Sequence, residues 1–193
     1  MWFAACDGWY ALEMMYPRDE VECAGSMIVI SLLEDIHKAL DAEAYYIALM
    51  GALTLPDICG SMDHADGRAS KARYIEWFNR WAGHKYTAFL DGEQCYGFRC
   101  DMLHQGTTGT PARTYSRIVF IVPGYEGISA HRAIANDWLV LDLPVFCNDL
   151  TSAVYSWLHH VTGTEPATSH LARIVQTYPN GISGRFINIP VIA

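Results

Sequence analysis

The stretch that most restricts the fold is YYIALMGALTL, residues 45–55, which is uncharged and apolar on nearly every side of a helix. A helix without a polar face cannot lie at a surface, so other elements have to surround it. The pattern predicts that this helix begins near Ala42 and ends at Pro56 or just past it, with PDICG as its exit, because proline lacks the N–H that the next turn needs. Helices able to surround it stand on both sides. Before it, MIVISLLEDIHKAL puts Ile28, Leu32, Leu33, Ile36 and Leu40 on one stripe, with Ser26 as the cap. After it, the polar loop SMDHADGRAS leads into KARYIEWFNRWAG, where Tyr74, Trp77, Phe78 and Trp81 share a face up to a stop at Gly83. A fourth helix starts near Asp91 and stops at Gly106. Four helices with short connections predict a mainly α fold, a helical bundle over residues 25–110.

The composition changes after Gly106. TTGTPART is a polar loop, RIVFIVPG reads as a strand ended by Pro123 and Gly124, and DWLVLDLPVF as a second strand whose Pro144 confines its end to an edge or bulge. NDLTSAVYSWLHHV predicts a fifth helix capped by Asn148, SHLARIVQTY a shorter sixth, and RFINIPVIA a terminal strand. Residues 111–193 are therefore expected to form a C-terminal α+β extension packed on the bundle, and residues 1–24 a peripheral N-terminal extension.

Charge is distributed unevenly. The net charge of −8 argues against broad, charge-driven adhesion to nucleic acid or to an anionic membrane. Residues 1–67 hold twelve acidic and two basic side chains, residues 68–132 five and nine, and residues 133–193 four and two, so only the middle third is basic. The cysteines Cys6, Cys23, Cys59, Cys95, Cys100 and Cys147 form no C-x-x-C pair, and such scattered thiols predict a reducing, cytoplasmic setting. No run of eighteen apolar residues is present, so no membrane span is predicted.

The chemistry-bearing stretch is CYGFRCDMLHQG, residues 95–106, at the end of the basic third's last helix. Arg99 precedes His104 by five residues, a spacing that advances about 140° around a helix and rises about 7.5 Å. The two side chains do not face each other by position, so either the long Arg99 side chain curls toward His104 or two copies of the helix cross. Gly97, Cys100 and His104 follow i, i+3, i+7 spacing, which would let a second helix approach closely and give a symmetric dimer. Asp101, three before His104, is placed to hold the imidazole as general acid or base. Arg99, permanently charged, suits phosphate oxygens. The simpler account is that His104 answers the helix dipole and Arg99 belongs to a partly buried structural ion pair.

The helix YGFRCDMLHQG resembles the signature helix of the HEPN superfamily, whose ribonuclease members carry an arginine followed four to six residues later by a histidine. LDAEAYYIALMGALTLPDICG and the tryptophan-bearing helix are also similar to bacterial HEPN-like proteins of toxin or defence type, and the resemblance covers roughly residues 26–110. It implies a HEPN-like four-helix bundle and a homodimer whose paired motifs form one metal-independent endoribonuclease site, with Arg99 on the phosphate and His104 in proton transfer. RNA would be the substrate and an antitoxin protein a partner. Cys100 departs from the polar residue frequent after the arginine in active members, with Asp101 a partial substitute. The alternative is a non-catalytic HEPN-like dimeric scaffold. No cofactor is called for: His64, His84, His104, His159, His160 and His170 form no spaced zinc set with the cysteines, and no glycine-rich phosphate loop appears.

Overall fold

The computed structural model describes residues 24–108, 114–124 and 130–193, and its fold is mainly α with a few short strands in the C-terminal part. The expected N-terminal extension and the middle of the TTGTPART loop lie outside the described residues. Helix α1 spans Ala24–Asp41, α2 Tyr45–Met62, α3 Lys71–Trp81 and α4 Gly92–Gln105, with a 3₁₀ turn at Gly83–Tyr86 between the last two. Strands β1 (Arg117–Ile121), β2 (Ala133–Ala135) and β3 (Trp138–Asp142) follow, then α5 (Leu143–Val161), α6 (Ala167–Leu171), β4 (Thr177–Tyr178) and β5 (Val191–Ile192). No helix among the described residues is long and apolar enough to cross a membrane.

Helix α2 is the centre, in contact with α1, α3, α4 and α5. Two of its expected limits are corrected: it starts at Tyr45 rather than near Ala42, and Pro56 lies inside it, fully within the buried face with Leu53, Cys59 and Met62. Proline costs an interior helix about 3 kcal/mol. Here the residues on both sides of Pro56 bury one continuous face, and that packing keeps the chain helical for six more residues. The stripe of α3 is as expected at Tyr74, Trp77 and Phe78, which are buried, and Ser70 caps the helix by accepting from the Arg73 N–H. Trp81 is only half-buried, under the Arg80 guanidinium at 5.0 Å.

The C-terminal part is built differently from its expected form. Pro144 does not end a strand; it stands in the first turn of α5, where its missing N–H has no intrahelical partner to lose. The helix therefore begins at Leu143 under an Asp142 cap, and Asn148 sits inside it, with its side-chain oxygen 3.1 Å from His37 Nε2. Strand β3 pairs parallel with β1 and antiparallel with β2, giving the order β1-β3-β2. The expected sixth helix is a single short one, and only its last two residues, Thr177 and Tyr178, form β4, paired with β5.

One buried cluster extends from Val29 in α1 to Leu171 in α6, taking in Ile118, Leu139, Phe146 and Trp157. Phe120 of β1 touches both Phe98 of α4 and Phe146 of α5, with ring centroids 5.4 and 5.2 Å apart. The sheet thus packs directly on the helix that carries Arg99 and His104.

The start of that helix is set by close approach. A Cβ on Gly92 would lie 2.6 Å from the Ile75 carbonyl oxygen and 2.9 Å from its Cα, both backbone atoms of α3. Gly92→Ala should therefore destabilise the fold by about 1–2 kcal/mol, because overpacking outweighs alanine's better helix propensity. Urea denaturation checks this: a variant as stable as the parent would show that α3 and α4 have room between them.

Candidate functional site

Helix α4 is closed firmly at both ends. Asp91 accepts from the Gln94 N–H at 2.8 Å and the Gln94 side chain accepts from the Asp91 N–H at 2.8 Å, a complete capping box. Gly106 ends the helix in the left-handed conformation at φ 64°, with its N–H directed to the carbonyls of Asp101 and Met102. Phe98 and Met102 anchor one face in the core, which leaves Arg99 half-buried and His104 exposed.

Arg99 and His104 meet within a single chain: Arg99 Nη1 is 3.2 Å from His104 Nε2. The reach of the arginine side chain spans the angular offset that five residues create, so the first of the two routes operates within one chain. Arginine only donates, so a hydrogen bond across this contact requires Nε2 to accept with its lone pair. Behind the pair stands Asp57 of α2, whose Oδ2 is 2.6 Å from Arg99 Nη2, with the two side chains 13% and 20% exposed. The partly buried ion pair of the simpler account is thus present.

Nη2 makes the close contact with Asp57, and Asp57 Oδ2 and Arg99 Nε are both buried without an aligned hydrogen-bond partner among the described residues. Nη1, directed at His104, is the donor of Arg99 that stands at the exposed helix end. Burial pushes the Asp57 carboxyl above the usual carboxylate range, and the Arg99 charge beside it opposes that rise.

The supporting residues divide. Cys100 is half-buried, with its Sγ 3.9 Å from Arg99 Nη1. Asp101 is buried at 3% exposure, and the contact that His104 makes is with Arg99, not with Asp101. The reason is rotational: Asp101 shares the core-facing side of α4 with Phe98 and Met102, whereas His104 turns to solvent. Asp101 thus does not hold the imidazole. Beside the site a polar cleft of about 470 Å³ is lined by Lys71, Glu93, Tyr96, Gly97 and Cys100, so the small-residue stripe of α4 opens onto solvent-reachable space.

Asp57 is the residue that the motif did not reveal. Its signal was present nonetheless, since it is the only charged residue in α2, and a charge in a helix buried on nearly all sides needs an opposite charge nearby. Among the described residues no group of three His, Cys, Asp or Glu side chains converges as a metal site. Comparison with known proteins finds no matching family model, no matching curated protein and no matching solved structure, so the chemistry of this site has to be argued from its own geometry.

Proposed function

We propose that the chain is a HEPN-like, metal-independent endoribonuclease that works as a homodimer, with Arg99 and His104 as its catalytic residues. The observation that carries the reading is the Arg99–His104 contact at 3.2 Å on an exposed helix end, with a guanidinium only partly used by Asp57. An imidazole nitrogen whose lone pair is met by a guanidinium that can turn to phosphate suits attack by a 2′-hydroxyl on its neighbouring phosphate. In that reaction the 2′-oxygen bonds to phosphorus as its proton passes to His104 Nε2. The bond from phosphorus to the 5′-oxygen then breaks, the proton goes to that oxygen, and a 2′,3′-cyclic phosphate and a 5′-hydroxyl remain. Arg99 takes up the charge on the non-bridging oxygens. A second copy of the chain lengthens the RNA-binding surface around the open stripe of α4, and an antitoxin protein that covers this end would silence it.

The experiment is RNA cleavage by the purified chain in excess EDTA. The parent should cut, and His104→Ala should lower the rate at least about 10²-fold, the usual contribution of a general base, while the variant keeps the parent's fold and oligomeric state. An inactive parent, or a variant as active as the parent, favours a non-catalytic HEPN-like dimeric scaffold, in which Arg99, Asp57 and the helix dipole are structural.

A further inference from the structure

We infer that Asp57 is a positioning residue which, acting through Arg99, fixes His104 in the tautomer that carries its proton on Nδ1 and offers Nε2 as the base. The inference rests on the ribonuclease reading of the same site for its chemical consequence, but not for its geometry. Three elements of charge make up the arrangement. Asp57 on α2 holds Nη2 at 2.6 Å, Nη1 reaches Nε2 of His104 at 3.2 Å, and Nε is left without an aligned partner. Because a guanidinium cannot accept, any imidazole it contacts through Nε2 presents a lone pair there. The free imidazole has no such constraint and populates the other tautomer as well.

The guanidinium stays in place because of its anchor. Arg99 is only 20% exposed, and the polar groups near it among the described residues include the Cys100 thiol at 3.9 Å and the Tyr96 and Tyr74 side chains, none of them a full counter-charge. Behind Asp57, Tyr74 of α3 is fully buried, with its hydroxyl 3.2 Å from the Leu53 carbonyl and 3.4 Å from Cys95 Sγ. Among the described residues, the carboxylate paired with Arg99 is that of Asp57. Without its charge, Arg99 gains more from turning to solvent than from remaining half-buried, and His104 loses the donor that selects its tautomer.

The arrangement also orders the reaction. An arriving phosphodiester draws Nη1 to a non-bridging oxygen, while Nη2 remains on Asp57 as the pivot. Nε2 is released with its lone pair still free, beside the 2′-hydroxyl whose proton it takes. The same contact that keeps the imidazole in the right form is the one the substrate breaks.

The test is nitrogen-15 NMR of the full chain at neutral pH without RNA, with two-bond correlations that report which imidazole nitrogen of His104 carries the proton. The parent should show Nε2 unprotonated and Nδ1 protonated, and Asp57→Asn should return the pattern to the averaged one of a free histidine. Arg99→Lys is the second variant, which leaves a cation for Asp57 and removes the forked donor; it too should lose the parent pattern. In cleavage assays Asp57→Asn should lower kcat tenfold or more with KM changed less than threefold. A parent with Nε2–H, or an Asp57→Asn chain that is folded and keeps the parent pattern, overturns the inference even if RNA is cut. A parent with the expected pattern that loses it in both variants but cuts no RNA upholds the positioning and overturns the ribonuclease reading alone.

Discussion

Trp157→Ala should lower the free energy of unfolding by about 3–5 kcal/mol, the range for removing a large aromatic side chain from a core. A loss of that size is a substantial part of the roughly 5–15 kcal/mol that keeps a domain folded. Trp157 is fully buried in α5, and its indole N–H donates to Asp63 Oδ1 at 2.8 Å, just past the end of α2. The side chain thus acts twice, filling volume between helices and satisfying a half-buried carboxylate that closes the central helix. Trp157→Phe separates the two contributions. It keeps much of the apolar volume and removes the hydrogen bond to a charged group, whose loss should cost about 1.5–3 kcal/mol. Urea denaturation followed by circular dichroism measures both. Should Trp157→Ala lose less than about 1 kcal/mol, α5 would not belong to the core that α2 organises.

The helices were legible because their buried faces repeat with the period of a helix, as with Tyr74, Trp77 and Phe78 in α3. The Asp91 and Gly106 limits of α4 were legible too, because an acidic cap and a closing glycine act through their own backbone neighbours. Pro144 was misread because proline suits both a strand edge and a helix first turn, and only the burial of Phe146, Cys147 and Leu150 decides between them. Pro56 was misread for the converse reason, since packing outweighs a local preference at the centre of the bundle. At the site, the spacing of Arg99 and His104 was visible, but their contact was not, because it depends on side-chain reach rather than on helix position. The Asp57–Arg99 pair joins two helices, and no local pattern encodes which partner a lone buried charge will find.

Asp149→Ala should cost about 3 kcal/mol, the lower end of the 3–5 kcal/mol found when one member of a buried ion pair is removed, because Asp149 and Lys85 are still 18% and 30% exposed. One carboxylate serves three groups there. It pairs with Lys85 Nζ at 2.8 Å, accepts from the Tyr86 hydroxyl at 2.9 Å, and lies 3.8 Å from His131 Nε2. Tyr86 is fully buried, and its hydroxyl pKa is pushed up by burial and then by Asp149, so the hydroxyl stays a donor and would be orphaned by the substitution. Asp149→Asn, which keeps an acceptor for Tyr86 but not the charge, should lose less. The same cluster sets a pH dependence. Burial lowers the His131 pKa, Arg132 adds to the effect, and the carboxylates of Asp149 and Asp142 oppose it, while His131 Nδ1 accepts from the Asp142 N–H at 3.2 Å. The unfolded chain therefore takes up a proton on this imidazole at a higher pH than the folded chain does, near the ordinary value of about 6.5. Stability is fully present above that value and falls as pH drops toward the lower folded pKa. Removing Asp149 takes away an opposing charge, so in Asp149→Ala the decline should continue to lower pH than in the parent. Urea midpoints from pH 7.5 to 4.5 measure both curves, and a parent whose His131→Asn variant shows the same slope through pH 6 would rule this imidazole out as its source.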